Sequence, residues 1–485
     1  MRPILTRAIL GVCALGIVAL IAFYVYLHSQ KKKGEELWEA ALAKFEADGE
    51  SLDPAFRFAL PIPDEANAAA IPLLRNVTAR SPQGETVRAA LDDLDLDLDR
   101  EAWPKLKSER NTYTPWRALD LENLQQHLSG SKVIEIPSAT DDVATGLLQA
   151  IEGRNGAQIR QMHEAAARHG QAQFIPPLAE VFPPGPPLAV ETTDHLQPVL
   201  SLARSLKLHA GLSLHAQKPE DALAGIRSLC RLGTASGADC KTVITYLVGQ
   251  GIYQQAFQIV WEGLLQRSFS ADQLAEIERE LLDLDPLGSL TDAYRGELVA
   301  MLQTLDALEE DPAQFGDDPE QPTRMPLFVK AWFNHNRAAI LNHFHQTILA
   351  PSKSATPYLE MRKQAKRSLE QAEEMAGDKR YLFANMALPS TASLVKRAAL
   401  AHVHRNQAMI ACALERYFIA NRQYPESLEL LRPELRPELL LDPIDQRPMR
   451  YGRTSDGRYQ LHSVGWDGSD EGGAATDIVW GYESP

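Results

Sequence analysis

Several oxygen-bearing side chains lie close together near the end of the 485-residue chain, in a segment rich in glycine. They are Asp467, Ser469, Asp470 and Asp477. A hard cation such as calcium takes about six to eight oxygen ligands from carboxylates, hydroxyls and carbonyls, and glycines let a backbone fold closely around an ion. The pattern therefore predicts a cation site. The alternative interpretation is an acidic turn in solvent, whose glycines only serve tight bends.

Two acidic segments look like calcium loops, but neither follows the EF-hand pattern. Counted from Asp467, the sixth position is a glycine as required, but Ile478 occupies the twelfth, where an EF-hand has glutamate. Counted from Asp95, Arg100 replaces the glycine and Leu106 replaces the glutamate. We interpret the acidic run 91–101 as a solvated face with its leucines turned inward.

Other candidate catalytic groups lack the partners that their chemistry requires. Ser393 and Lys396 have the S-x-x-K spacing of penicillin-binding enzymes, but the accompanying Ser/Asn element and Lys-Thr-Gly strand do not occur in the sequence. His335 and His343 are two helical turns apart, whereas metal binding on one helix face needs an i, i+4 pair. The sequence also has no P-loop, G-x-S-x-G, H-E-x-x-H or dinucleotide motif. These observations predict a protein that is not an enzyme.

The cysteines permit one disulfide. Cys230 and Cys240 flank a segment that contains glycines and that the sequence predicts as a turn. They can form a disulfide if this part of the chain lies outside the cytoplasm, and they are otherwise free thiols. No Cys-x-x-Cys or Cys/His spacing typical of a metal site occurs in the sequence.

Charge divides the chain into a basic beginning and an acidic remainder. The 49 basic and 64 acidic residues give a formal net charge of −15. The first 33 residues contain basic side chains and no acidic ones; the basic residues are Arg2, Arg7, Lys31, Lys32 and Lys33. An acidic protein is a poor general ligand for nucleic acid, since binding to the phosphate backbone needs clustered Lys and Arg. We expect no nucleic-acid partner.

An uncharged run from Ala8 to Leu27 predicts a membrane anchor. A helix of this length spans about 30 Å, the thickness of a bilayer core. Tyr24 and Tyr26 lie near one end, where aromatic rings favour the interface. A cleaved signal peptide is the alternative, against which the length of the run and the lack of a small-x-small cleavage site both argue. A buried core helix is disfavoured by the lysines that follow.

These features predict an inner-membrane protein with a single span and nearly all of the chain on one side. We expect that side to be the periplasm. The charge rule by itself leaves the orientation ambiguous, because basic residues stand at both ends of the span.

Hydrophobic periodicity predicts a mainly α-helical protein with a small α+β domain at its C-terminus. The predicted divisions are a transmembrane anchor (1–30), a helical and proline-rich connector (31–116), an α-helical body (117–390) and an α+β domain (391–485). Within the body, residues 195–266 are typical of packed helical hairpins and resemble tetratricopeptide hairpins, although no regular repeat is established.

The C-terminal domain is predicted as a long helix followed by a three-stranded antiparallel sheet. The helix covers about 392–420, and the strands cover 449–454, 459–464 and 477–480. An Asp-Gly turn between the first two strands is a strong hairpin signal.

Motifs in this C-terminal segment occur in a recognisable order. They are Ala413-Leu-Glu-Arg-Tyr417, Tyr424-Pro-Glu-Ser-Leu428, Asp442-Pro443 with Pro448-Met-Arg-Tyr451, and Asp456 to Gly465 followed by a loop with Gly472-Gly473 and Asp477-Ile478. Taken together, they resemble the C-terminal globular domain of the major (G-type) pseudopilin of type II secretion systems.

The chain departs from that family in two places. Ile444 and Asp445 stand where the family has an aromatic residue and a glycine. The prepilin signature is absent, since residues 1–30 contain no glutamate. The resemblance therefore implies a shared domain and not a filament subunit.

In the pseudopilin family the loop between the last strands binds calcium. Matched by motif, the resemblance implies Asp467 and Asp477 as side-chain ligands and the carbonyl of Val464 as a third ligand, with Ser469 or Asp470 completing the shell. Such a site would be structural, because it would pin the loop and order the last strand.

We therefore expect a single-pass, membrane-anchored envelope protein that acts as a non-catalytic interaction or assembly module. Its partners would be other proteins, including components of a type II secretion or pilus-like system, and its cofactor a structural Ca2+. Two alternatives stay open: an enzyme with an unrecognised active site in the helical body, and a helical-repeat scaffold that binds peptides.

Overall fold

A computed structural model describes most of the chain and shows a mainly α-helical protein with a small antiparallel sheet near the C-terminus. This confirms the predicted fold class. The described residues are 2–53, 60–79, 81–104, 116–130, 142–174, 193–238, 241–311, 326–375, 377–387, 391–432, 435–474 and 476–482.

The helices fall into three groups along the chain. The first group is α1 (Arg2–Ala47), α2 (Pro82–Asp92), α3 (Asp99–Ala102), α4 (Leu121–Gly130) and α5 (Val143–Arg168). The second is α6 (Leu196–His215), α7 (Pro219–Ala238), α8 (Val243–Leu265), α9 (Ala271–Leu282) and α10 (Pro286–Glu310). The third is α11 (Leu327–Lys330), α12 (Phe333–Phe344), α13 (Pro357–Met375), α14 (Leu382–Ala387) and α15 (Thr391–Asn421).

The anchor and the helix after it form one continuous helix, α1. The sequence pattern separates an anchor ending near residue 30 from an amphipathic helix beginning at Gly34, but the structure has no break there. Gly34 lies buried against α12, where an added Cβ would stand 2.7 Å from Nδ1 of His335. The glycine therefore permits a close approach of two helices and does not end α1.

Helices α6, α7 and α8 pack consecutively against one another and confirm the predicted helical hairpins. The α7–α8 crossing is close because glycines face each other across it. A Cβ added at Gly249 would lie 2.8 Å from the carbonyl oxygen of Gly233. At the start of α8, Thr242 and Thr245 form a capping box that satisfies backbone amides of the first turn.

The long helix α15, predicted over 392–420, runs through the middle of the protein. It contributes to two hydrophobic cores, one shared with α5 to α9 and with Trp480, the other shared with the end of α1 and with α10 to α13. Arg405 on α15 donates hydrogen bonds to the carbonyls of Leu281 and Leu282 at 3.0 and 2.8 Å, which satisfies the C-terminal end of α9. The segment after residue 390 thus packs directly on the helical body.

The sheet has the predicted strands in the order β1 (Arg450–Arg453), β2 (Tyr459–Ser463) and β3 (Ile478–Trp480). Both pairings are antiparallel. Alternate residues of β2 are buried, as expected for a sheet with one face on the core. Gly457 has a φ of 78° in the turn between β1 and β2, a conformation that favours glycine.

Candidate metal centre in the C-terminal loop

The loop between β2 and β3 is fixed at its first end by a buried carboxylate. Asp442 is fully buried and accepts hydrogen bonds from the backbone amide of Val464 at 3.0 Å and from the Ser463 hydroxyl at 2.8 Å. It also pairs with Nη1 of Arg450 at 2.8 Å. The Asp-Pro motif of the sequence therefore positions the residue at which the loop begins.

The two ends of this loop meet at Gly465, which has a φ of 65°. A Cβ added there would stand 2.1 Å from the carbonyl oxygen of Thr476. Only glycine fits this close approach without a shift of the backbone. The approach places the residues just before β3 beside the end of β2.

Asp477 provides the clearest indication of a cation site. Its side chain is fully buried, and Oδ2 accepts hydrogen bonds from the backbone amides of Glu471 at 3.0 Å and Gly473 at 2.7 Å. Its other oxygen, Oδ1, is buried and has no hydrogen-bond partner among the described residues. A buried carboxylate oxygen without a donor is costly, so this atom is available to a cation.

Asp477 lies in a cluster of potential ligands with His462 and Asp470. One ligand atom from each of these three side chains lies within 4.8 Å of the other two. Nε2 of His462 is 3.2 Å from Oδ1 of Asp470. A backbone hydrogen bond from Gly472 lowers the pKa of Asp470, and hydrogen bonds from His462 and Arg450 lower it further. Asp470 is therefore anionic at neutral pH.

The structure brings together only part of the predicted ligand set. Asp467 is exposed and is not a member of the cluster; its carboxylate accepts hydrogen bonds from the Ser469 amide at 3.1 Å and the Thr476 hydroxyl at 2.5 Å. Ser469 is also exposed, whereas Val464 is buried at the start of the loop. The assignment of Asp467, Ser469 and the Val464 carbonyl as calcium ligands stays a prediction.

His462 was not among the predicted ligands. The alternation of buried and half-buried residues along β2 is the pattern that could have indicated it. His462 occupies a half-buried position of this strand, opposite Val479 of β3. Imidazole nitrogen suits zinc and other transition metals, whereas calcium takes oxygen ligands. The predicted calcium ligands within this cluster are Asp470 and Asp477, and His462 is a hydrogen-bond partner of Asp470.

The helical body contains a polar cavity of about 130 Å3 beside α12 and α13. His343 lines it; Nδ1 is 2.7 Å from the Ser368 hydroxyl, and Nε2 is 2.8 Å from the Thr391 hydroxyl. Thr391 in turn lies 3.1 Å from the hydroxyl of Tyr294. Burial lowers the pKa of His343 to about 4, so its ring is neutral at pH 7. This network links α10, α12, α13 and α15.

Within the described residues, the helical body contains one cysteine, Cys230, and it is buried. Cys230 is a free, fully buried thiol, and burial raises its pKa to about 12. A thiol of this kind is chemically inert. Its predicted disulfide partner, Cys240, lies outside the described residues.

Comparisons with protein-family models, with curated proteins and with solved structures found no match to this chain. The resemblance of the C-terminal segment to the pseudopilin domain therefore stays a prediction. One helix of the described structure, α1 from Cys13 onward, is long and apolar enough to cross a membrane.

Proposed function

We propose that this protein is a single-pass, membrane-anchored envelope protein whose helical body and C-terminal segment form a non-catalytic interaction or assembly module. The observation that carries the proposal is that α1 has an exposed apolar part and a part that packs on the body. None of its most apolar window is buried against the rest of the protein. From Gly34 to Phe45 the same helix packs into the body with no intervening linker.

The joint between the anchor and the body is reinforced by a histidine–carboxylate contact and by the ion pairs of Glu50. Asp48, just after α1, lies 2.8 Å from Nε2 of His345. Glu50 pairs with Arg295 at 2.7 Å and with Lys353 at 2.8 Å. A joint of this kind makes the anchor and the body one rigid unit, which suits a module that presents surfaces to other membrane-associated proteins.

The anchoring proposal is tested by fractionation of cells that express the full chain with a C-terminal tag. We expect the protein in the inner-membrane fraction, resistant to alkaline carbonate extraction, and its body digested by protease in spheroplasts. Release by carbonate would overturn the single span. Protection of the body in spheroplasts would overturn the periplasmic location.

The proposed assembly role is tested by mild crosslinking in membranes followed by purification of the tagged protein. The resemblance to the pseudopilin domain leads us to expect components of a type II secretion or pilus-like system among the crosslinked partners. Recovery of the protein without any of these components would count against the link to such a machine.

We further propose that calcium stabilises the C-terminal loop through Asp470 and Asp477. The unpartnered Oδ1 of Asp477 supports this proposal. A ligand that binds only the folded state stabilises it by about 2.7 kcal/mol at 100 times its dissociation constant. The melting temperature of the full chain in detergent should rise with calcium and fall with a chelator.

Asp477→Asn should abolish the calcium response, whereas Asp64→Asn, at an exposed ion pair with Arg75, should leave it intact. A melting temperature that is equal in calcium and in chelator would contradict the calcium site. A response retained in Asp477→Asn would contradict its assigned ligand.

A further inference from the structure

Helices α1 and α12 run side by side in the same direction. Gly34 lies against His335, and eleven residues further along α1 the ring of Phe45 is 5.5 Å from the ring of His345. The residues just before α12 therefore lie beside the part of α1 just before Gly34, where the apolar span ends. Helix α11 precedes α12 and also contacts α1.

A second segment, 378–387, is held at the same level of α1. Nη1 of Arg380 is 3.2 Å from Oε1 of Gln30, three residues beyond the last residue of the apolar run. Asn336 of α12 fixes the segment from behind. Its Nδ2 donates to the Arg380 carbonyl at 2.8 Å, and its Oδ1 accepts from the Ala384 amide at 2.9 Å. The segment therefore cannot swing away from the anchor.

These two segments expose large apolar side chains next to basic ones. Phe328 is 41% exposed, Leu382 is 49% exposed and Met386 is 79% exposed. We call the surface formed by these residues and their basic neighbours the membrane-proximal patch; it consists of Phe328, Lys330, Lys379, Arg380, Leu382 and Met386. Three exposed apolar side chains of this size, on two segments held near the end of the span, make this surface a candidate for burial against the bilayer.

The charge of the membrane-proximal patch is positive. Lys330 and Lys379 are exposed. The neighbouring acid, Asp378, is neutralised by Arg380, whose Nε and Nη2 lie 2.9 and 2.6 Å from its Oδ2. The first turn of α1 beyond Gln30 adds the exposed Lys33 at the same level of the helix, whereas Lys31 and Lys32 lie 3.8 and 4.0 Å from Glu35 and Glu36. An anionic surface is therefore the complementary partner.

We propose that the membrane-proximal patch lies in the headgroup layer of the bilayer that α1 spans and binds anionic phospholipid headgroups there. Apolar side chains of peripheral segments bury about 5–10 Å into this layer, and each basic residue near an anionic surface adds attraction. Trp332 packs on Phe328 with ring centroids 5.6 Å apart and supports it from the α12 side.

This inference rests on the proposed single span, and it adds a second point of contact with the lipid. One helix alone would let the body tilt about the end of α1. With the patch in the headgroup layer, the body is seated on the bilayer in one orientation. The lipid composition then becomes a determinant of how the body is presented to its partners.

The test uses the full chain in nanodiscs of phosphatidylcholine, with or without phosphatidylglycerol. Met386→Cys carries an environment-sensitive fluorophore, and Leu430→Cys, at an exposed leucine beyond the far end of α15, is the matched control. Cys13→Ala and Cys240→Ser remove other labelling sites, while Cys230 and Cys412 are buried. We expect nitroxide lipids to quench the dye at position 386 about threefold more strongly than at position 430, as for a side chain in the headgroup layer.

Charge reversal provides the second arm of the test. Lys330→Glu together with Lys379→Glu should lower the equilibrium constant for docking in anionic nanodiscs by more than about tenfold, since each basic residue near the surface contributes about a fivefold preference. Quenching at position 386 should then fall to the level of position 430. A dye at 386 that is quenched no more than the dye at 430 would overturn the inference.

Two further outcomes separate this inference from the proposals on which it rests. Disulfide-linked dimers of the unlabelled Met386→Cys variant in the nanodiscs would show that a second copy covers the patch, and would also overturn the inference. A chain that is not retained in nanodiscs and is extracted by alkaline carbonate would instead refute the single span.

Discussion

Replacing Glu50 with glutamine should loosen the attachment of the anchor to the body. The Glu50 side chain is 3% exposed, and it accepts hydrogen bonds from Nε and Nη2 of Arg295 at 2.7 and 3.1 Å. Nζ of Lys353 lies 2.8 Å away. Burial raises the pKa of Glu50, but the hydrogen bonds and charges of these two cations outweigh burial and lower the pKa from 4.5 to about 2.

The pKa of Glu50 sets the size of the expected effect. A pKa lowered from 4.5 to about 2 corresponds to about 3 kcal/mol of stabilisation, at about 1.4 kcal/mol per pH unit. Because the folded-state pKa is the lower one, this contribution is fully present above pH 4.5 and is lost as the pH falls towards 2. In Glu50→Gln, Arg295 keeps its contact with Asp292 at 3.2 Å, so the loss at pH 7 should be about 2–3 kcal/mol.

Hydrogen–deuterium exchange of the full chain in detergent measures this loss locally. Amides between Phe45 and Glu50 should exchange on the order of 100-fold faster in Glu50→Gln at pH 7, because 2–3 kcal/mol of local opening free energy corresponds to about that factor. At pH 3 the difference between wild type and variant should be much smaller.

The matched control for this experiment is Glu164→Gln, which breaks an exposed pair with Arg168. Exposed pairs contribute about 0–1 kcal/mol, so exchange there should change by less than about fivefold. A Glu50→Gln variant whose amides exchange within threefold of wild type would refute the reasoning.

Three further predictions concern the helical body and helix α15, which packs on it. Gly249→Ala should lower the free energy of unfolding by about 1–3 kcal/mol in urea denaturation, because the added Cβ would lie 2.8 Å from the Gly233 carbonyl; Gly251→Ala, which faces open space in the described part of α8, should not lower it. Glu262 is fully buried and accepts hydrogen bonds from an indole, a backbone amide and an imidazole. Glu262→Leu should therefore cost about 3 kcal/mol in urea denaturation, and clearly more than Glu262→Gln, which keeps an acceptor; equal losses would contradict this role. Burial lowers the pKa of His404 from 6.5 to about 3, so the unfolded chain binds a proton there that the folded chain does not. The free energy of unfolding should fall as the pH falls from about 6.5 towards 3. Measured at several pH values, the slope of this free energy against pH should be smaller in His404→Gln than in wild type by about 1.4 kcal/mol per pH unit. An unchanged slope would show that His404 is protonated in the fold.

Local sequence patterns predicted most elements of the fold. The helix predicted over 392–420 is Thr391–Asn421, and hydrophobic periodicity over about 357–376 predicts the helix that the structure has at Pro357–Met375. The Asp-Gly hairpin and the third strand lie where the pattern placed them. Hydrophobic periodicity and turn chemistry act over a few residues, so they can be recognised without knowledge of the tertiary contacts.

Elements whose limits depend on packing were predicted less well. Hydrophobic periodicity over 328–349 predicts a single helix, but α11 ends at Lys330, α12 begins at Phe333, and a π-helical turn covers His345–Leu349. His345 in that turn pairs with Asp48 after α1. The π-helical turn thus lies where α1 docks, a contact nearly 300 residues away in the chain that no local pattern contains.

The candidate metal site shows the same division. The sequence alone identified an acidic, glycine-rich loop, and the resemblance to the pseudopilin domain implied Asp467 and Asp477 as ligands with Ser469 or Asp470 completing the shell. The structure groups two of these residues, Asp470 and Asp477, with His462 of β2. The orientation of a loop side chain depends on where the chain closes, here at Gly465 against Thr476, and local composition does not specify that closure.

The sequence by itself determined the apolar span, the mainly helical class and the C-terminal hairpin, because each follows from the order of apolar, polar and turn residues within a short window. Only the tertiary structure decided which carboxylate oxygen is buried without a donor, and which distant segment lies beside Gln30 at the end of the span. Burial and proximity arise from contacts between residues far apart in the chain, such as Gln30 with Arg380, and they set the free energies on which a binding site or a membrane contact depends.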